Sequence, residues 1–373
     1  MNVLVIGDCN HILLKDLYSN KEFNNINIDY CSYTSVEKSY NSISRSYNIS
    51  TYFPKWIKKI IHPFFTYYIY ILLLIILKGR KYNIIHFHFT YSFYIFLIPF
   101  CRLYKIKIVS TIWGSDFYHA KKIEIYLKIL FWKKVDIVSI TNDNLKNVLV
   151  EKGLNSHKIR ITRFGLRNID NIDTLLKKGD KNNYKKLLEI PLDKKTIMVG
   201  YNRSANQNHE AIINALQKID STVISRYIFI FPLTYGPTER ISKISSILQC
   251  TQLNYLILPN LLSMIEFSKY TIATDIFIQL QNTDQFSATM TEHIYCGNSV
   301  ITGAWLNYNI LKDKGATYFE INSLDKLSNE LEHTLSSCTL SSEQQKINHK
   351  AVFELCHWNV SIHSWKNLYC YND

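Results

Sequence analysis

The chain is predicted to fold as α/β, with two doubly wound domains, each a parallel sheet covered by helices on both faces. Three observations carry this. Short β-branched apolar runs recur along the chain with helix-length segments between them. Runs that are continuous and not alternating belong to strands buried on both faces. The alternation breaks off in a polar, Lys-rich passage and then restarts. A length of 373 residues suits two domains better than one, and 47% hydrophobic with 20% charged residues provides proper cores and excludes disorder for most of the chain.

The strands follow in order. NVLVIG (2–7) opens the first half, followed by NIIHFHF (83–89), KIKIVSTIWG (105–114) and VDIVSIT (135–141), and KIRITRFGL (158–166) closes it. The polar passage NIDNIDTLLKKGDKNNYKKLLEIPLDKK has no strong periodicity and reads as a linker. The predicted domains are residues 1–180 and 181–350, with residues 351–373 a helix. In the second half TIMVG (196–200), SRYIFIFPL (225–233), YLILPN, TDIFIQL and SVITG (299–303) are strands. HEAIINALQKI (209–219), RISKISSILQC (240–250) and LLSMIEFSKYTIA are the helices between them. No repeat of 20–50 residues is visible.

The net charge is +13, and residues 1–180 hold 26 Lys and Arg against 13 Asp and Glu, whereas residues 181–373 hold 17 of each. A one-sided basic half points to an anionic partner such as nucleic acid, anionic lipid or a pyrophosphate. A nucleic-acid binder interleaves its cations with aromatic residues on one surface. Here the aromatics run in apolar stretches, so no nucleic-acid partner is expected. The stretch IHPFFTYYIYILLLIIL (61–77) follows Lys58 and Lys59 and precedes Lys78, Arg80 and Lys81. It is at the lower limit for a membrane span, and it contains His62 and Pro63. With YSFYIFLIPF (91–100) it reads as helices packed on the sheet and able to dip into a membrane interface. A fully buried helix and a true span are the alternatives. The eight cysteines lack any C-x-x-C pair and fit reduced thiols. The N-terminus does not read as a signal peptide, so a cytoplasmic protein, peripheral on the inner face of the cytoplasmic membrane, is expected.

In doubly wound sheets ligands sit beyond the carboxyl ends of the strands, where the notable residues cluster. After TIMVG the loop YNRSANQNH offers Gly200, Asn202, Arg203, Ser204 and His209. Backbone N–H groups, hydroxyls and a cation of this kind suit a phosphate. Neither a P-loop nor a dinucleotide fingerprint is present. In DQFSATMTEHIYCGNSV (284–300) a helix starting near Ser287, Ala288 and Thr289 would direct free N–H groups at an anion. Asp284 precedes that start and Glu292 lies one turn in. A carboxylate beside a phosphate is costly unless it holds something else, such as a sugar or ribose hydroxyl. Asp284 is therefore assigned to the sugar and Glu292 to the ribose of a nucleotide sugar. The alternative is that both are ordinary first-turn charges.

Several of these stretches carry a resemblance. DQFSATMTEHIYCGNSV resembles the E-x7-E region of the GT-B glycosyltransferases. NIIHFHF is similar to their D-V-I-H-x-H strand, and STIWGSDF to their T-x-H-G-x-D turn. ITNDNLKNVLVEKGLNSHKIRITRFGL resembles a further segment of that superfamily. A closer similarity is to the bacterial TDP-4-acetamido-4,6-dideoxygalactose (Fuc4NAc) transferases. WGSDFY, with Trp113, Gly114, Ser115 and Asp116, is similar to their W-G-A-D-L-Y. Val199–His209 is similar to V-G-N-S with S-N-x-H, and FPLTYGP, with Pro232 and Tyr235, to V-P-M-G-Y-P-P. Gly7, Asp8 and His11 match a loop with G-S-D and His. The departures are Asp284 where the E-x7-E enzymes have Glu, Arg203 where they have Lys, and Trp113 where they have His.

The resemblance implies a GT-B fold, with two Rossmann-like domains facing a central cleft. It also implies transfer of a hexosyl or deoxyaminosugar from a TDP-, UDP- or GDP-linked donor. The acceptor would be polyprenyl-pyrophosphate-linked or a polysaccharide, at an anionic membrane surface, in bacterial surface polysaccharide synthesis. No metal or other cofactor is expected, and no D-x-D is found. For an inverting reaction Asp116 is the candidate base, with His88 second. Gly7, Asp8, His11, Trp113, Gly114 and Ser115 would line the acceptor side, and the C-terminal HWNVSIHSWKNLY would return to the first domain. A GT-B-like sugar-nucleotide epimerase and a non-enzymatic membrane-surface binder are the rival readings.

Overall fold

The computed structural model describes residues 1–8, 10–32, 43–48, 63–118, 120–141, 143–284 and 286–370. Cys9, Lys58, Lys59 and the first two residues of the 61–77 run therefore lie outside the described residues. The chain divides into two compact units. One is Met1–Gly165 with Trp358–Asp373, and the other is Leu166–His357.

The first unit is a wholly parallel sheet of β1 (Asn2–Ile6), β2 (Asn27–Ser32), β3 (Ile43–Asn48), β4 (Ile84–His88), β5 (Lys107–Thr111), β6 (Ile137–Ile140) and β7 (Ile159–Ile161). Its order is β3-β2-β1-β4-β5-β6-β7, so the winding reverses between β1 and β4. β1 is buried on both faces. Val3 and Val5 face a core shared with Leu14, Leu17 and the C-terminal helix Trp358–Cys370. Leu4 and Ile6 face the core covered by helix Pro63–Lys78. That helix buries Tyr67, Tyr70, Ile71, Leu74 and Ile75, a stripe at spacings of three and four, while Leu73, Ile76 and Leu77 remain exposed. At roughly 2 kcal/mol for each fully buried aliphatic side chain, such a stripe holds the helix to the sheet. Among the described residues no helix is long and apolar enough to cross a membrane.

The second unit repeats the plan with β8 (Lys195–Val199), β9 (Tyr227–Pro232), β10 (Tyr255–Leu258), β11 (Ile276–Gln279), β12 (Ser299–Gly303) and β13 (Phe319–Ile321), all parallel. The order β10-β9-β8-β11-β12-β13 places its reversal between β8 and β11.

Two expectations are corrected. The passage read as a linker forms helices Arg167–Leu176 and Lys181–Leu187. Its charges conceal Ile169, Ile172 and Leu175, which recur every three residues and lie in the second unit's core. Residues 166–180 thus pack with the second unit, not the first. β2, β3 and β13 were also not anticipated. ISRSYN is a polar edge strand, and FEI is an edge strand of three residues, too short to write the continuous apolar run of a central strand.

Candidate functional site

At the reversal of the second sheet, Gly200 follows β8 with a φ of +62°. A Cβ there would meet the Gln207 Oε1 at 2.8 Å and the His209 Nε2 at 2.9 Å, so the turn requires glycine. His209 opens helix His209–Leu216 fully buried, and burial lowers its imidazole to about 4. The loop is closed by local bonds. Asn202 accepts from the Ser204 N–H at 2.8 Å and donates to the Tyr235 hydroxyl at 3.1 Å. The Ser204 hydroxyl accepts from the Asn206 N–H. Arg203 stitches this loop to the ends of two neighbouring strands. Its Nε donates to the Gly236 carbonyl at 2.6 Å, and its Nη1 to the carbonyls of Leu233 at 2.9 Å and Pro259 at 3.3 Å. A guanidinium held this way fixes the loop first, and only its remaining donors can serve an anion. Pro232 ends β9 beside Leu258 of β10, and Tyr235 beyond it is half exposed.

After β11 the chain returns to this end of the sheet. Ser287 caps helix Ala288–Tyr295, its hydroxyl accepting from the Met290 N–H at 3.1 Å. Ala288 and Thr289 open the helix at the surface, with first-turn amides that have no acceptor within the helix. The two acids of this stretch have different surroundings. Asp284 is part-exposed and accepts from the Tyr308 hydroxyl at 2.5 Å. Glu292 is 7% exposed and accepts from the Asn168 side chain at 2.9 Å. Asn168 in turn accepts from Ser268 at 2.6 Å. Burial, the main influence, pushes the Glu292 carboxyl up to about 7, against the Asn168 bond.

Sequence reasoning missed the buried residues that brace this end of the sheet. Gln279 ends β11 and is fully buried, taking the Ser287 hydroxyl at 2.7 Å and donating to the Tyr308 hydroxyl at 2.9 Å. Gln281 donates to the Tyr201 hydroxyl at 2.9 Å, and its carbonyl accepts from the Trp305 indole at 2.7 Å. The available signal was two glutamines at alternating positions leaving an otherwise apolar strand, I-F-I-Q-L-Q.

In the first unit Gly7 follows β1, and a Cβ there would stand 3.1 Å from the His88 Cβ. Asp8 is exposed and accepts from the Asn10 N–H at 3.0 Å. His11 caps helix Ile12–Tyr18, its Nδ1 accepting from the Leu13 N–H, and its ring meets Trp113 edge-on at 4.6 Å. Ser115 opens the short helix Ser115–Tyr118 at the surface.

The two base candidates, Asp116 and His88, both lie inside the first unit. Asp116 is 2% exposed, and both its oxygens are engaged by backbone. Oδ1 accepts from the N–H groups of Trp113 at 2.9 Å and Gly114 at 3.0 Å, and Oδ2 from that of Thr90 at 2.8 Å. Burial raises its carboxyl to about 6, opposed by those bonds and by Lys128, whose ammonium donates to the Asp116 carbonyl at 2.7 Å. This carboxylate braces the loops after β4 and β5. His88 is also internal. Its Nε2 lies 2.6 Å from the Tyr18 hydroxyl, which lies 2.8 Å from that of Tyr369, itself 2.6 Å from the His86 Nδ1. Burial pushes the His88 imidazole well below its ordinary value. The network ties the C-terminal helix to β4, as a buried polar group must be satisfied where it lies. Among the described residues no group of three or more His, Cys, Asp and Glu is arranged to hold a metal.

Two parallel doubly wound sheets, together with the solved structures that match them, place the fold in the GT-B class. No protein-family model and no curated protein matches the chain by sequence. Solved structures do match over whole chains. A glycosyltransferase from Rickettsia africae superposes with a TM-score of 0.74 at 14% identity, covering 100% of this chain and 99% of that one. HepE from Anabaena, in complex with UDP, gives 0.73 at 11% identity, covering 99% and 100%. The UDP-GlcNAc 2-epimerase from Neisseria meningitidis, bound to UDP-GlcNAc, gives 0.63 at 12% identity and covers 100% of both.

Proposed function

We propose that the protein is a glycosyltransferase in which the second unit holds a nucleotide-sugar donor and the first a saccharide acceptor. The observation that carries this reading is the arrangement at the reversal of the second sheet. There the open helix start at Ala288 and Thr289 adjoins Asp284, a part-exposed carboxylate held by Tyr308. The helix amides and dipole suit the leaving diphosphate, stabilising charge as it develops. Asp284, repelled by that charge, suits the sugar hydroxyls. Glu292 and Asn168 form the buried back of the site, from which Glu292 takes a ribose hydroxyl.

The donor is a TDP-, UDP- or GDP-linked hexose or deoxyaminosugar of the kind used by the Fuc4NAc transferases, and the reaction is read as metal-independent. Asp116 and His88 stay the candidate bases for an inverting reaction, and Asp8, exposed after β1 and accepting from the Asn10 N–H, is assigned to the acceptor side. The acceptor is a polyprenyl-pyrophosphate-linked saccharide or polysaccharide in bacterial surface polysaccharide synthesis (O-antigen, capsule or common antigen), met at the inner face of the cytoplasmic membrane. The basic first half and the exposed Leu73, Ile76, Leu77 and Leu103 favour an anionic membrane surface there.

The epimerase reading is favoured by the fold likeness to the Neisseria enzyme, but it leaves the basic, apolar first half without a role. The test is Asp284→Ala, assayed for sugar transfer and for donor hydrolysis. A transferase loses both by 100-fold or more, about 3 kcal/mol. Unchanged membrane binding with no transfer by the wild type would mark a non-enzymatic binder. Interconversion of the free nucleotide sugar would mark the epimerase.

A further inference from the structure

We infer that Tyr308 and Gln279 are positioning residues for the donor's sugar, holding the Asp284 carboxylate where the hydroxyls of a bound hexosyl group meet it. This rests on the donor-site reading and extends it to two residues that no motif marks.

The geometry is a directed chain of hydrogen bonds. The Ser287 hydroxyl accepts from the Met290 N–H at 3.1 Å and donates to the Gln279 Oε1 at 2.7 Å. The Gln279 Nε2 then donates to the Tyr308 hydroxyl at 2.9 Å, and that hydroxyl donates to the Asp284 Oδ2 at 2.5 Å. An ionised carboxylate only accepts and the amide nitrogen only donates, so the protons can run in one direction alone. Gln279 is fully buried, Tyr308 is 1% exposed and Ser287 4% exposed, while Asp284 is part-exposed. The chain is thus sealed from water at one end and opens to solvent at the acid.

Two consequences follow. Asp284 sits on a loop between β11 and helix Ala288–Tyr295, and the Tyr308 bond fixes the orientation of its carboxylate. The hydroxyl that caps the helix is also the first member of the chain. The helix start that would cradle the diphosphate and the carboxylate that would take the sugar therefore share one frame. Burial and the Asp284 charge both raise the Tyr308 phenol, keeping it protonated as a donor.

The test is calorimetric titration of the full chain, as wild type, Tyr308→Phe and Gln279→Met, with UDP, TDP and GDP and with their glucose conjugates. The inference expects free nucleotides to bind Tyr308→Phe as tightly as wild type. It expects the sugar conjugate that binds wild type to weaken about ten-fold, the scale of one hydrogen bond to a charged group, with a smaller loss in Gln279→Met. Equal affinity of the conjugate for wild type and Tyr308→Phe would overturn it, as would an equal loss for nucleotide and conjugate, which marks a merely structural role. If Tyr308→Phe does not fold, Gln279→Met decides by the same contrast. Wild-type protein that binds none of the six overturns the donor site itself, and this inference with it.

Discussion

Glu292 and Asp284 were indistinguishable as letters eight positions apart, and their surroundings separate them. Glu292 is buried with one amide partner, so its carboxyl is raised from an ordinary 4.5 to about 7. The sign follows from proton counts. Between those two values the folded state holds a proton that the unfolded state has lost, so stability falls as pH rises through that window. The full effect is about 3 kcal/mol. Glu292→Gln keeps an acceptor for Asn168 but does not titrate. Relative to wild type it should gain stability from pH 5 to about pH 7 and level off above it, measured by urea unfolding at each pH up to pH 8. A constant difference across that range would mean the carboxyl is not perturbed. Which of the two acids would be buried lay beyond sequence, because it is decided by Asn168, 124 residues away in the chain.

The Asp116 brace belongs to the scale of elements, since it joins the loop after β4 to the loop after β5 through three backbone N–H groups. Asp116→Asn supplies only one acceptor oxygen and leaves a buried N–H unsatisfied, at about 1–3 kcal/mol. Its melting temperature should drop while any sugar transfer by the remaining folded protein persists. A stable but inactive variant would mark Asp116 as the base. Long central strands were legible because burial on both faces writes a continuous apolar run, as in NVLVI and IIHFH. The cap at Ser287 was legible because capping is a local property. Edge strand β3 and helix Arg167–Leu176 were not, since their polar residues face water and mask the few that pack, and edge strand β13 is too short to write a continuous apolar run. The buried brace was also hidden, because Gln279 meets Tyr308 only once β11 and β12 lie side by side.

Across the whole molecule the charge is segregated, with residues 38–115 carrying 11 Lys and Arg and no Asp or Glu. Helix Pro63–Lys78 adds Leu77 at 75% exposure, and the neighbouring helix Ile98–Leu103 adds Leu103 at 72%. Tyr104 joins the two helices by donating to the Ile76 carbonyl at 3.1 Å. Each cation near an anionic surface contributes about 1 kcal/mol, screened by salt. The protein should sediment with phosphatidylglycerol vesicles at low salt and weakly with phosphatidylcholine, and Leu77→Glu with Leu103→Glu should release it. Binding insensitive to lipid charge and to those substitutions would refute the surface. The central claim remains the donor site of the second unit. It is tested most directly by a thermal-shift screen against TDP-, UDP-, GDP- and CMP-linked sugars and the free nucleotides. Ligand that binds only the folded state raises the melting point through RT ln(1 + [L]/Kd). A clear rise with one nucleotide class, diminished in Glu292→Ala, is the predicted result. No rise with any of them, in protein shown to be folded, would contradict it and leave Asp284 and Glu292 as the ordinary acids of a helix start.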